Sequence, residues 1–217
     1  MRVLFDTICF ATGNLHKLDE VRAIMQQRLP GLRVLGLADT QASGLDVAED
    51  APDFHGNSLL KAQGYGAVTG MPTLADDSGL VVDCLDGRPG VISARYAPTN
   101  AGRIERVARE VAEAAPDDGP ARAARFVCVA TLWFPASFGW APLVAEGRVE
   151  GRIVTEPRGE GGFGYDPIFL VDGYGLTMAE LSADEKNRVS HRFRALDALA
   201  GQIQHLGLMS EGGSPIR

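Results

Sequence analysis

Lysine is the residue this chain uses least for its kind: Lys17, Lys61 and Lys186 stand alone against eighteen arginines. A compact three-donor ammonium and a planar guanidinium are not interchangeable. A chain that takes arginine wherever a surface cation will do keeps lysine where a point charge is needed. Cysteine is scarce too. Cys9, Cys84 and Cys128 are an odd count without metal-type spacing, each inside an apolar, strand-like segment, which argues for buried reduced thiols in a cytoplasmic protein and against a disulfide framework. Long apolar runs are missing: nothing approaches the ~20 residues of a membrane helix, and the longest run, Phe126 to Phe134, suits a buried strand. The opening MRVLFDTICF has one arginine and no small-residue cleavage site, so it reads as a first strand and not as a signal peptide. A basic excess is absent as well; the net charge of −7 excludes a general nucleic-acid binder, which needs a cationic stripe. It leaves room for a small polyanion gathered by a few local cations. No G-x-x-x-x-G-K-[ST] occurs, so a Walker-type P-loop is excluded.

What remains is a soluble globular chain of 217 residues, long enough to bury a substantial core in one domain or in one sheet with two lobes. The domain is read over 1–209, with 210–217 as a disordered tail. Val3 to Ala11 reads as a buried strand, and Thr12-Gly13-Asn14 as a turn into a helix with Leu15, Leu18, Val21, Ile24, Met25 and Leu29 on its apolar stripe. Asn14 is a good N-cap. Lys17 in the first turn opposes the helix dipole and is better explained by an anion bound there. After a second strand over LRVLGL comes a polar loop with Glu49 and Asp50, then a helix over Asn57 to Val68. Asn57 and Lys61 stand four apart and share a face of it.

The central stretch LADDSGLVVDCLDGRPGVISARY sets two carboxylates, Asp76 and Asp77, into an apolar segment. A buried carboxylate must meet a cation, meet backbone donors or protonate. A break in the strand at Asp76-Asp77-Ser78-Gly79 would let both reach one cleft, where a divalent cation would explain the pair. Arg122 to Phe134 and Leu143 to Thr155 read as long neighbouring antiparallel strands. Gly159, Gly161 and Gly164 formally match G-x-G-x-x-G, yet Asp166-Pro167-Ile168-Phe169 follows as turn and strand where a dinucleotide fold opens a helix. The stretch is instead a loop presenting Phe163 and Tyr165, in the manner of a base-stacking device. Ser182 to Glu185 is a capping box for a helix with Val189, Phe193, Leu196, Leu199 and Ile203 on its buried side. Lys186 lies in its first turn and Ser190-His191-Arg192 one turn later.

Together these pieces assemble cations for phosphates, acids for a metal and an aromatic for a base. The motifs that carry them are Thr12-Gly13-Asn14-Leu15-His16-Lys17, Glu49 with Phe54 to Ala62, Ala75 to Leu80, Pro89-Gly90 with Ser93 to Tyr96, Gly161 to Pro167, and Lys186 with Ser190-His191-Arg192. In this order, nearly end to end, the chain resembles the inosine triphosphate pyrophosphatase family. The resemblance implies a long twisted mixed sheet shared by two α/β lobes, an active-site cleft between them, and a cytoplasmic homodimer. It also implies Mg²⁺-dependent hydrolysis of ITP, dITP or XTP to the monophosphate and pyrophosphate, cleansing the nucleotide pool. By position, Thr12, Gly13, Asn14, Lys17, Lys61 and Ser78 would hold the triphosphate, and Glu49 and Asp76 the Mg²⁺. Asp77 would be the water-activating base, with ligand and base interchangeable within the Asp76-Asp77 pair. Phe163 would stack on the purine, and Gly164, Tyr165, Asp166, Lys186, His191 and Arg192 would surround base and sugar-phosphate. No nucleic acid and no membrane is expected as a partner. Gly56 departs from the acidic residue this family often carries before the asparagine, and Asp50 to Asp53 vary the following loop. Two other readings use the same residues: a catalytically silent nucleotide-binding module, which gains nothing from acids beside phosphates, and a pyrophosphatase for modified pyrimidines.

Overall fold

Parallel strands need a crossover, and the first third of the chain provides two. In the computed structural model, which describes residues 4–117 and 119–209, strand β1 (Thr7–Phe10) is followed by helix α1 (Leu15–Arg28) and strand β2 (Arg33–Gly36). Helix α2 (Phe54–Thr69) then leads to strand β3 (Thr73–Val82). β2 and β3 both run parallel to β1, in register from Thr7↔Arg33 and from Cys9↔Thr73. The first crossover runs from β1 to β2 and the second from β2 back past β1 to β3, and right-handed connections in opposite directions set α1 and α2 on opposite faces. The packing agrees: Ala62 and Tyr65 of α2 cluster with Cys9, Ala11 and Ala75, one face of the period-two alternation.

Helix α3 (Asn100–Ala114), strands β4 (Ala123–Trp133), β5 (Leu143–Ile153) and β6 (Phe169–Val171), and helices α4 (Ala183–Val189) and α5 (His191–Leu206) complete the chain. The sheet order is β2-β1-β3-β4-β5-β6. β6 lies antiparallel to β5, so the sheet is mixed and the fold is α/β, as expected. β4 and β5 are neighbours, and the apolar run inside β4 is buried almost throughout. The tail expected at 210–217 lies outside the described residues.

The chain divides into two compact units. The first comprises Met1–Asp77, Val129–Glu146 and Ala195–Arg217, the second Ser78–Cys128 and Gly147–Arg194. In the first, α5 lies beside α1, tied by Arg28–Asp197 and by Gln204 Nε2 donating to the Arg28 carbonyl at 2.7 Å. In the second, Leu80, Val107, Val111, Phe126, Ile153, Ile168 and Phe169 share one apolar cluster. Phe126 and Phe169 pack there with ring centroids 4.5 Å apart; truncating a ring so placed typically costs about 3–5 kcal/mol.

Two local expectations are corrected. β3 does not break at Asp76-Asp77-Ser78-Gly79 but runs unbroken to Val82, because Leu80 and Val82 bury fully and continue the pleat. The helix opened by the Ser182–Glu185 capping box ends at Val189, where Ser190 is extended (φ −62, ψ 145). The Ser190 hydroxyl accepts from Phe193 N–H at 3.0 Å and so caps α5, a bond that competes with continued helix. Lys186 therefore sits in the last turn of α4, where the dipole favours a cation.

Candidate active site

In a parallel sheet with order 2-1-3, the chain reverses direction across the sheet beside β1, and ligands gather at the carboxyl ends of the strands there. Thr12-Gly13-Asn14 follow β1 there, and Asp76-Asp77 lie where β3 runs on past the last residue of β1, Phe10, which pairs with Leu74. Asn14 caps α1 as expected, its side chain accepting from the His16 and Lys17 N–H groups at 3.0 and 3.3 Å, while Thr12 Oγ1 accepts from Asn14 N–H at 3.1 Å.

Because β3 is unbroken, Asp76 and Asp77 point to opposite faces, and each finds a lysine from the helix on its own side. Lys17 of α1 stands 3.3 Å from Asp76 Oδ2 and 3.4 Å from Oδ1, with Asp76 only 2 % exposed. Lys61 of α2 stands 3.0 Å from Glu49 Oε2 and 3.9 Å from Asp77 Oδ1. Asp77 is 8 % exposed, and its Oδ2 accepts from Asn57 Nδ2 at 3.1 Å. Burial raises the Asp77 carboxyl above its ordinary range, against the opposing pull of Lys61 and Asn57. Burial works to lower Lys61, but Asp76, Asp77 and Glu49 outweigh it and hold the ammonium more firmly protonated than usual. Ser78 follows on β3, half-buried.

The second unit carries the remaining residues. Lys186 Nζ lies 2.6 Å from Asp166 Oδ2 and 4.7 Å from the centroid of the Phe163 ring, and the same Asp166 oxygen accepts from Phe163 N–H at 2.8 Å. Burial raises Asp166, with Lys186, Phe163 N–H and Arg192 pulling the other way. Gly162 is obligatory here: at φ +74, a Cβ would fall 2.1 Å from Asp166 Oδ2 and 2.8 Å from Lys186 Nζ. The two loop aromatics part company. Phe163 is 53 % exposed, whereas Tyr165 is buried with its hydroxyl donating to the Ser93 carbonyl at 2.8 Å. Tyr165 thus anchors the loop whose half-buried Gly164 and exposed Phe163 face solvent. His191 stacks on Phe126 at 4.9 Å, and Arg192 is buried.

All three lysines end on acidic side chains, and the side chains of Lys17, Lys61 and Lys186 are only 23, 13 and 20 % exposed. They are not stray surface charges. Sequence reasoning did not assign a role to Asn57, although its position four residues before Lys61 on one helix face was the available signal. Among the described residues, no group of three or more His, Cys, Asp or Glu side chains is placed to hold a metal ion. The oxygen donors of Glu49, Asp76 and Asp77 are of the hard class that Mg²⁺ takes, and one cation, the Lys61 ammonium, already lies near two of them.

An α/β sheet that sets two buried carboxylates, each met by a lysine, beside the turn after β1 is the frame of the candidate site. The chain belongs to the Ham1 family, whose description matches residues 8–202. It is 46 % identical over 203 residues to a dITP/XTP pyrophosphatase of Xanthomonas oryzae pv. oryzae, covering 93 % of this chain and 98 % of that one. It is 45 % identical over 194 residues to a dITP/XTP pyrophosphatase of Halalkalibacterium halodurans, covering 87 % and 94 %. The solved structure of a HAM1 protein from Coxiella burnetii superimposes with a TM-score of 0.83 at 38 % identity, covering 93 % of this chain and all of that one. No described helix is long and apolar enough to cross a membrane.

Proposed function

We propose that this chain hydrolyses deaminated purine nucleoside triphosphates, ITP, dITP and XTP, to the nucleoside monophosphate and pyrophosphate. It is an enzyme, a nucleoside triphosphate pyrophosphatase. The observation that carries the reading is Asp77, a buried carboxylate held between Lys61 and Asn57 beside a second buried carboxylate and a second lysine. The names of the relatives add the substrate class.

The chemistry follows from the residues. Phosphoryl chemistry leaves little covalent work to the protein; it needs positioning and positive charge near the phosphate oxygens. Thr12, Asn14, Lys17 and Lys61 supply these. A carboxylate raised above the ordinary range is a better proton acceptor than a solvated one, and Asp77 takes the proton of the attacking water as the bond between the α- and β-phosphates breaks. Glu49 and Asp76, which both act on the Lys61 ammonium, would hold Mg²⁺, and the bound cation would supply positive charge for the phosphates. In the second unit, Phe163 offers an exposed ring for stacking. Lys186, His191 and Arg192 are donors, so a 6-oxo purine finds partners where a 6-amino purine sets donor against donor. The homodimer and the cytoplasmic location belong to the same reading and rest on the family resemblance; size-exclusion chromatography checks the first.

The test is a panel of ITP, XTP, dITP, ATP and GTP with Mg²⁺ and with chelator, products separated into phosphate and pyrophosphate. Pyrophosphate from the deaminated purines in Mg²⁺, with ATP turned over far more slowly, is expected. Equal turnover of ATP, release of single phosphate, or full activity in chelator overturns the reading.

A further inference from the structure

Asn57 is 1 % exposed, and both ends of its amide are engaged. Its Oδ1 accepts from the Ala51 backbone N–H at 2.9 Å, and its Nδ2 donates to Asp77 Oδ2 at 3.1 Å. The orientation is not arbitrary, because a backbone N–H can only donate and a carboxylate only accepts. Flipping the amide would set donor against donor and acceptor against acceptor. Asn57 therefore ties the catalytic carboxylate to the loop that follows Glu49. It also occupies Oδ2, which leaves Oδ1 as the oxygen turned toward Lys61.

The neighbouring glycine explains how the loop comes so close. A Cβ on Gly56 would stand 2.4 Å from the Ala51 Cβ, so an acidic residue at this position would drive Ala51 off the helix. Asp53 caps the same helix end, accepting from Gly56 N–H at 2.7 Å, and fixes the loop from its other side. Gly56 and the Asp50 to Asp53 loop thus form one packed unit with Asn57 at its centre.

We propose that Asn57 is a positioning residue: through its amide it selects Asp77 Oδ1 as the oxygen that receives the water proton and holds it in register with the Glu49 loop. This rests on Asp77 being the base. Asn57→Ala removes both bonds, and the near-isosteric Asn57→Leu removes both while keeping the volume and adding no charge beside Asp77. Misplacing a reacting group by about an ångström costs on the order of 10²-fold. Each variant should therefore lower kcat roughly ten- to a hundredfold on ITP while leaving KM within about twofold. Because Asn57 acts through Asp77, its loss should add nothing in an Asp77→Asn background; residues acting as one unit are not additive. A purely structural asparagine would instead leave Asn57→Leu near wild-type kcat, or would multiply its loss onto that of Asp77→Asn. Either result overturns the proposal. Should Asn57→Ala fail to fold, Asn57→Leu, which leaves no cavity, decides the question alone. Near-full activity of Asp77→Asn would sink the base assignment and this inference with it, whereas a slow Asp77→Asn beside full-rate Asn57 variants removes only the inference.

Discussion

Lys61 leans on Glu49 and Asp77 in the first unit, and Lys186 leans on Asp166 in the second, yet the two pairs leave different things available. Around Lys61 the acids outnumber the cation, and Asp77 keeps one oxygen turned toward the ammonium at a distance of 3.9 Å, too long for a committed hydrogen bond. Around Lys186 one carboxylate oxygen is doubly engaged. A single Asp166 oxygen takes the ammonium and the Phe163 N–H together, and what is left exposed is a ring. In the proposed reaction the same residue pairing serves chemistry in one place and a recognition loop in the other. What separates them is the number of bonds each carboxylate has already made.

The comparison is broken most sharply by exchanging lysine for arginine in both units. Lys17→Arg and Lys61→Arg keep the charge but replace a compact ammonium with a planar fork, and should lower kcat roughly 10- to 10²-fold through displaced phosphate contacts. Lys61→Arg should also cost about 1–3 kcal/mol in unfolding free energy, since its side chain is only 13 % exposed and a larger group must be overpacked there. Lys186→Arg should act chiefly on KM. Steady-state kinetics with urea unfolding separates these effects, and a fully active triple arginine variant would mean that the lysines are incidental.

Phe163→Ala sharpens the same division. Stacking a base on an aromatic ring is worth about 1–3 kcal/mol, so KM for ITP should rise roughly five- to a hundredfold. The ring is 53 % exposed, so the melting temperature should hardly move. A kcat effect larger than the KM effect would show that the second unit does more than bind.

The smallest effect is in the pH dependence of stability. Burial raises the folded-state pKa of Asp166 above the ordinary 3.8. Its contribution is therefore fully present below pH 3.8 and is lost as pH rises through the folded value. Asp166→Asn removes that loss. Urea unfolding across a pH series should show the variant gaining relative to wild type as pH rises from 3.8; a difference that stays flat or runs the other way would show that the Lys186 bond outweighs burial.

Much of this molecule was legible along the chain because its signals are local. Asn14 and the Ser182–Glu185 box are caps whose bonds span three residues, and the apolar run of β4 has no alternative to burial. The scarcity of lysine likewise marked the three cations by number before any contact was known. Three features were decided only in the tertiary structure. β3 runs straight through Asp76-Asp77 because helices on opposite faces bring a lysine to each carboxylate, so no corner is needed to compensate two buried charges. Phe163 and Tyr165, two residues apart on one loop, separate into solvent and core because the Ser93 carbonyl, far away in sequence, accepts the tyrosine hydroxyl. Asn57 acquires its place only when the Glu49 loop closes over Gly56. The Asn57–Asp77 and Tyr165–Ser93 hydrogen bonds join positions 20 and 72 residues apart, and no periodicity or spacing along the chain records them.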